Sequence, residues 1–327
     1  MPDVELPGRR GAARWPTASG LAAGLVADAV LGDPRRGHPV AGFGFAAAAL
    51  ERRVYGDSRS AGVAYAGGLT AGTVLLGAAG LAATRSRPLP RAALTALATW
   101  AVIGGTSLRR EAGAMTDLLD AGDLTGARAR LSHLCGRDPA ALDVAGLARA
   151  TVESVAENTS DAVVGPLVWG AVAGVPGLLT YRAVNTLDAM VGHRSPRYAR
   201  FGWAAARSDD LANLLPSRLS AALTVGLAPL VGGRTRAARA AWSRDGHKHP
   251  SPNAGPVEAA FAGALGRTLG GRLAYAGRVE DRPLLGNGPP PGIADIARAV
   301  RLSAAVSTAA GVLAVGVRAA LDSRGRR

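Results

Sequence analysis

The chain has 327 residues, 48% of them hydrophobic but only 4% aromatic, with 44 glycines and a formal charge of +14. Such a composition argues against an aromatic-rich soluble core and fits helices packed closely through small residues. The arginines are not interleaved with exposed aromatics, which sets aside a nucleic-acid stacking platform and leaves anionic lipid and anionic substrate as partners, while the single cysteine, Cys135, excludes an internal disulfide or a cysteine-based zinc motif.

Residues 1–16 read as a polar tail bearing Arg9, Arg10 and Arg14, expected to be retained because no small-residue cleavage site follows an apolar stretch. Residues 17–32 are apolar except for Asp28, which must sit near a membrane interface or find a partner, since an acid at the centre of a spanning helix costs ~2.5–3.5 kcal/mol. Asp33-Pro34 ends that helix, and Gly37-His38-Pro39-Val40 makes a compact loop in which His38 is a candidate phosphate contact. Ser60 to Thr84 then runs 25 residues without a charge and Ala92 to Leu108 runs 17, against ~20 needed to cross a bilayer. The two flank a short connection with two prolines and read as a membrane hairpin. The mean hydropathy of only +0.14 averages such runs with arginine-rich connections.

From residue 109 to 150 the pattern turns amphipathic, with Leu118, Leu119, Leu124, Leu131 and Leu134 at helical spacings and Gly122-Asp123 as a turn. Glu153, Glu157 and Asp161 follow four residues apart, so on one helix they share a face and repel by a few tenths of a kcal/mol unless a cation lies between them. Glu153 has an alternative partner in Arg149, four residues earlier. Ala162 to Tyr181 is again free of charge for 20 residues but is interrupted by Pro166, Gly170, Gly174 and Pro176-Gly177. Interruptions of this kind are tolerated where a helix lines a cavity, so a bent or re-entrant segment is expected, returning the chain and gathering the polar clusters on either side of it. Beyond it lie Asn185 and Asp188, then Asp209, Asp210 and Asn213, oxygen donors that suit a hard ion such as Mg²⁺ holding phosphates. Asp209-Asp210 can instead cap a helix beginning at Leu211, and Arg197, Arg200 and Arg218 read as lipid-facing or positive-inside residues.

Leu219 to Gly233 is a 15-residue apolar run containing Pro229, residues 234–301 form a polar connection, Leu302 to Val317 is a last apolar run of 16, and residues 318–327 are a basic tail. Within the polar connection, His247-Lys248-His249 suits phosphate or carboxylate better than zinc, for which no third ligand at standard spacing is nearby. No G-x-x-x-x-G-K-[ST] loop occurs, so ATP-binding residues are not legible as a motif. The expected architecture is all-α: one polytopic membrane-embedded domain over residues 1–327, with broken or re-entrant helices and sizeable polar connections.

LGDPRRGHPV, ESVAENTSDAVVGPLVW, YRAVNTLDAMVG, FGWAAARSDDLANLLPSRL and KHPSPNAG, in this order, resemble the CbiB/CobD family of cobalamin-biosynthesis membrane proteins, the adenosylcobinamide-phosphate synthases. The resemblance covers roughly Leu21 to Gly288 and departs at Pro256-Val257-Glu258, where the family usually has Trp-Pro-Glu, and before His38, where the usual aromatic is missing. It implies a multi-pass protein of the cell membrane joining adenosylcobyric acid to (R)-1-aminopropan-2-ol phosphate or a related amino alcohol with ATP hydrolysis, and the lone Cys135 suits an active face toward the reducing cytoplasm. Other corrin-pathway enzymes are then expected as partners besides the corrinoid and the bilayer. Such chemistry needs carboxylates for Mg²⁺ and cations for phosphate. Glu157, Asp161, Asp188, Asp209 and Asp210 are the candidate catalytic and Mg²⁺-binding set, with Asn158, Asn185 and Asn213 as neutral donors. Arg182, Arg194, Arg207, His247, Lys248 and His249, with His38, Ser251 and Asn253, are the candidate substrate and phosphate contacts. The competing readings are a membrane prenyltransferase or lipid phosphotransferase using Mg²⁺-bound diphosphate, a non-catalytic scaffold of the corrin pathway, and a transporter.

Overall fold

The computed structural model describes residues 15–34, 37–136, 138–140, 142–193, 195–275 and 278–324. The expected N-terminal tail up to Arg14 and the candidate Arg194 lie outside them. The chain forms two compact units, each discontinuous in sequence: Met1–Gly104, Gly165–Ala212 and Gly311–Arg327 make the first, Gly105–Val164 and Asn213–Ala310 the second. Among the described residues four helical stretches are long and apolar enough to cross a membrane: Arg59–Ala83, Val144–Gly192, Leu214–Val231 and Ile293–Arg324. The protein is an all-α, polytopic membrane protein, with one small β ribbon as the exception among the described residues.

The first unit opens with helix α1, Pro16–Leu31, which proline starts and Gly32, at φ 65°, stops. The Asp322 carboxylate accepts the free amides of Thr17 and Ala18, satisfying donors that a helix start leaves open. Asp322 belongs to the last turns of α13, Ile293–Arg324, so the residues expected as a basic tail continue a helix as far as Arg324. Helix α2, Pro39–Val54, is followed by α3, Arg59–Ala83, and α4, Pro88–Val102. Gly20 and Gly24 of α1 face Thr95 and Thr99 of α4 so closely that a Cβ on Gly24 would stand 2.7 Å from the Ala96 carbonyl oxygen. This is the small-residue contact by which helices associate without a hydrophobic driving force. Leu75 and Leu76 on α3 are 68% and 67% exposed, as expected of side chains meeting lipid. The expected second arm of the hairpin is shorter than its apolar run: α4 ends at Val102, and a separate helix starts at Gly105, at the Gly104-Gly105 pair whose backbone freedom favours a break.

The interrupted apolar run is where this unit turns. Helix α8, Gly165–Leu187, reverses at Gly174, whose φ of 64° and ψ of −141° no side-chain-bearing residue adopts easily, and Pro176 begins the return. Residues from the two arms then meet. Gly170 packs on Leu178, Gly177 lies against the Trp169 carbonyl, and a Cβ on Gly165 would fall on the Tyr181 ring. A straight helix would put Gly165 and Tyr181 about 24 Å apart. The re-entrant geometry expected from the glycines and prolines is therefore present, and glycine makes it possible by letting the arms approach backbone to side chain.

In the second unit, α5, Gly105–Asp120, and α6, Leu124–Leu131, form the expected amphipathic pair. Gly122 turns at φ 73° and Asp123 caps α6 through Gly126 N–H at 2.8 Å. Helix α7, Val144–Thr159, is capped by Asp143 and runs into a π-helical turn, Ser160–Val164. The spanning helix α10, Leu214–Leu227, tightens to a 3₁₀ turn at Ala228–Val231, where Pro229 forbids continuation. Arg298 donates to the Val231 carbonyl through two nitrogens, satisfying that helix end.

The residues expected as a polar connection hold this unit's most buried element. After α11, Thr235–Asp245, comes α12, Ala254–Leu265, every residue of which is buried. Strands β1, Thr268–Tyr275, and β2, Arg278–Gly286, pair antiparallel with a bulge between Leu269 and Gly271, and the Gly270 amide at the bulge donates to Glu153 Oε1 at 2.7 Å. Glu153 thus fixes the ribbon.

Candidate functional site

In the first unit the polar residues of α8 and α9, Trp203–Ala212, meet. Arg182, Asn185 and Asp188 occupy the return arm of the hairpin, with Asp188 the first residue of a second π-helical turn, Asp188–Gly192. Asn185 Nδ2 donates to Asp209 Oδ1 at 3.3 Å, joining the two elements, and Arg207 Nη1 pairs with Asp210 Oδ2 at 3.2 Å. The Asp188 carboxylate folds back onto the Gly192 backbone, in space that any Cβ at that position would take. Asp209 and Asp210 are not the cap of a helix at Leu211: they lie in the last turn of α9, the negative end of its dipole. Two carboxylates there are locally unfavourable, so an arginine, an amide or a bound cation must offset them.

A latch of aromatic and charged groups holds the segment between those two elements. Glu51, buried on α2, accepts from Arg197 Nη2 at 3.0 Å and from Tyr198 Oη at 2.9 Å. The Arg197 guanidinium stacks 4.0 Å from the Tyr55 ring centre, and Tyr55 Oη donates to the Arg197 carbonyl. The hydrogen bond to Glu51 and then that to Tyr198 hold the Arg197 guanidinium more firmly protonated than usual. Arg197 therefore has a protein partner where the sequence suggested lipid. An apolar cavity of about 170 Å³ in the same unit, between α2, α3, α4 and α8, is lined by Phe43, Leu76, Val102 and Leu179, with Arg182 on its wall.

His38 stands at the start of α2 in this unit. Its Nδ1 accepts the Val40 amide at the start of α2, and its Nε2 lies 3.8 Å from Asp33 Oδ1. Trp169 donates to the Ala212 carbonyl at 2.9 Å, and Tyr181 is buried in the hairpin.

In the second unit Glu157 is exposed at the end of α7, and Asp161 is half-buried in the first π turn. Asn158 Nδ2 donates to the Ser154 carbonyl at 2.9 Å and lies 3.1 Å from its hydroxyl oxygen. Both Asp161 and Asp188 thus lie on π-helical turns, which take the backbone out of α register and occur frequently at functional sites. Farther along, Asn253 Oδ1 accepts from Arg218 Nη1 at 2.7 Å and from Ser217 Oγ at 3.1 Å, while Asn213 is buried at the start of α10. Arg218, like Arg197, is internally engaged. Ser251 Oγ accepts the amides of Asn253 and Ala254 and so caps α12.

The three basic residues expected to meet phosphate separate here. His247 is exposed. Lys248 pairs at 2.9 Å with Asp245, which also takes Arg244 and the Gly286 amide. Burial of the Asp245 carboxyl raises its pKa, but bonds from Arg244, Lys248 and Gly286 outweigh that and bring it down to about 2. His249 is buried: the Ser251 amide donates to Nδ1 at 3.0 Å, and Nε2 lies 3.7 Å from Glu258 Oε1 and 3.1 Å from Arg282 Nη1. Glu51, Glu258 and Arg282 were not among the sequence candidates. Glu258 is the one acid in an otherwise apolar helix, a signal legible without coordinates.

Among the described residues no three His, Cys, Asp or Glu side chains are grouped so as to hold a metal ion by themselves. Mg²⁺ needs no such group, since it is commonly held by one or two carboxylates with waters and substrate phosphates completing the shell.

Residues 21–303 match the family model described as CobD/Cbib protein. Similar proteins include "Cobalamin biosynthesis protein CobD" of Mycobacterium tuberculosis, 56% identical over 305 residues, covering 93% of this chain and 97% of that one. The proteins of the same name from Chromobacterium violaceum and Geobacter metallireducens are 43% and 44% identical, covering 88% and 80% of this chain and 95% and 84% of theirs. No solved structure matches the chain. With the family model spanning most of its length and relatives this similar along nearly their whole extent, the chain belongs to the CobD/CbiB family of cobalamin biosynthesis proteins.

Proposed function

We propose that this protein is the ATP-dependent enzyme that joins the carboxylate of adenosylcobyric acid to the amine of (R)-1-aminopropan-2-ol phosphate, or a related amino alcohol, to give adenosylcobinamide phosphate. The observation that carries the reading is that, in a chain of this family, two acidic residues, Asp161 in the second unit and Asp188 in the first, each fall on a π-helical turn. A carboxylate does not accept an amine directly. ATP converts it to an acyl phosphate with release of ADP, and the amine then displaces inorganic phosphate as the amide forms. Mg²⁺, when bound with the nucleotide, would neutralise phosphate charge and be held by carboxylates of the set Glu157, Asp161, Asp188, Asp209 and Asp210.

The chain's own groups do the rest. Arg182 and Arg207 offer planar guanidinium groups that match phosphate oxygens two at a time, with His247 as an exposed further contact. Asn185 orients Asp209 through the bond already described. One carboxylate of the set takes the ammonium proton before attack. We place the site at the cytoplasmic face of the cell membrane, a placement supported by the source of ATP. Corrin-pathway enzymes that supply the acid and consume the product are the fitting partners.

The test is a coupling assay on detergent-purified protein with adenosylcobyric acid, aminopropanol phosphate, ATP and Mg²⁺, following product by mass. Product from wild type that falls at least 10²-fold in Asp188→Asn protein of unchanged thermal stability supports the reading. Stable wild-type protein that consumes no ATP, or that instead transfers a polyprenyl diphosphate, overturns it.

A further inference from the structure

We propose that the start and exposed face of α11 form a binding surface for anionic phospholipid headgroups, built from Arg234 at the N-cap and Arg236 and Arg239 on the helix. All three side chains are exposed, and among the described residues none is held by an ion pair. The opposite face of α11 is committed inward: Ala238 and Ala241 are buried, Gly263 of α12 lies against them, and Asp245 is tied to Arg244, Lys248 and Gly286. The helix cannot roll to hide its arginines.

Their position identifies the partner. The spanning segment Leu214–Val231 ends three residues before Arg234, with Leu230 still 65% exposed, as a side chain facing hydrocarbon should be. Arg298 grips the Val231 carbonyl and fixes that end. The arginines therefore follow directly where the chain leaves the bilayer, within a Debye length of the surface, where an anionic leaflet attracts each basic side chain. The local sequence opposes this arrangement. Arg236 and Arg239 repel each other at a three-residue spacing, the first turn of α11 has no acid, and cations are disfavoured at a helix start. An anion outside the protein removes that conflict, and the nearest anions at this depth are lipid phosphates. The proposal does not rest on the reaction assigned above.

The experiment uses full-length protein in nanodiscs of equal phosphatidylcholine and phosphatidylglycerol, extracted gently and weighed for retained lipid. Wild type is expected to retain phosphatidylglycerol in several-fold excess at low salt, falling toward equality at high salt. The R234Q/R236Q/R239Q variant is expected to lose most of that excess at any salt, at roughly up to fivefold per arginine. Should the triple variant misfold, R239Q alone still tests the surface, with a partial loss expected. An unchanged lipid ratio in the variants overturns the proposal, as does displacement of phosphatidylglycerol from wild type by free ATP, which would make the surface a site for soluble phosphates.

Discussion

Replacing Asp245 with asparagine removes one negative charge from the only described carboxylate bonded at once to an arginine, a lysine and a strand amide, and its cost follows from the structure. The carboxyl is buried, at 2% exposure, yet its pKa is about 2 against an ordinary 3.8. A shift of just under two units corresponds to ~2.5 kcal/mol of preference for the charged form in the folded state. Arg244 and Lys248 are each 43% exposed, so water screens part of this, and we expect Asp245→Asn to destabilise by about 1–2 kcal/mol at pH 7. The folded pKa lies below the unfolded one. The stabilisation is therefore whole above about pH 4 and disappears as pH falls through 2. Thermal unfolding of both proteins in detergent, followed by circular dichroism from pH 7 downward, should show a deficit that narrows only below pH 4. A deficit of constant size from pH 7 to below pH 3 would refute the electrostatic reasoning, leaving packing as the cause.

Three further substitutions probe the frame. Gly174→Ala forces an L residue into the φ of 64° on which the hairpin turns and should cost about 1–3 kcal/mol, whereas Gly226→Ala, with open space around it, should leave the melting temperature unchanged. Gly24→Ala drives a methyl group toward the Ala96 carbonyl and Thr99, and should lower stability by about 1–3 kcal/mol, read in the same melts. Arg197→Ala leaves the buried Glu51 with Tyr198 as its remaining partner in the latch and should cost about 1–2 kcal/mol, with Arg197→Lys restoring charge but not the stack on Tyr55; equal melting of all three proteins would dismiss the latch.

What the sequence disclosed depended on the range of the interactions involved. The reversal at Gly174 was legible because its cause is local: glycine and proline act on their own backbone, and their spacing within an apolar run is visible without coordinates. Helix α12 was not. Its twelve residues, mostly alanine and glycine, are too short and too bland to register as a core element, and it is buried because α10, α11, α7 and the strands close over it. The acidic stripe was half legible. The four-residue spacing of Glu153, Glu157 and Asp161 is real, yet Glu153 serves a bulge amide over a hundred residues away, and the π turn takes Asp161 out of α register. The protein partners of Arg197 and Arg218 went unseen for the same reason, since Glu51 and Asn253 are distant in sequence and nothing near either arginine announces them. His38 and Lys248 have local partners, two to five residues away, and a closer reading of helix capping and of the Asp245 spacing would have found them.

The hairpin at Gly174 also bears on how the protein's sidedness is counted. Membrane topology is a matter of parity: each complete pass exchanges inside for outside, and a segment that enters and withdraws exchanges nothing. Any scheme that scores Ala162 to Tyr181 as one pass, as its length and hydropathy invite, will invert the assignment of every later connection, including α11 and its arginines. Reporter fusions made on either side of this run should therefore be read for agreement rather than for alternation.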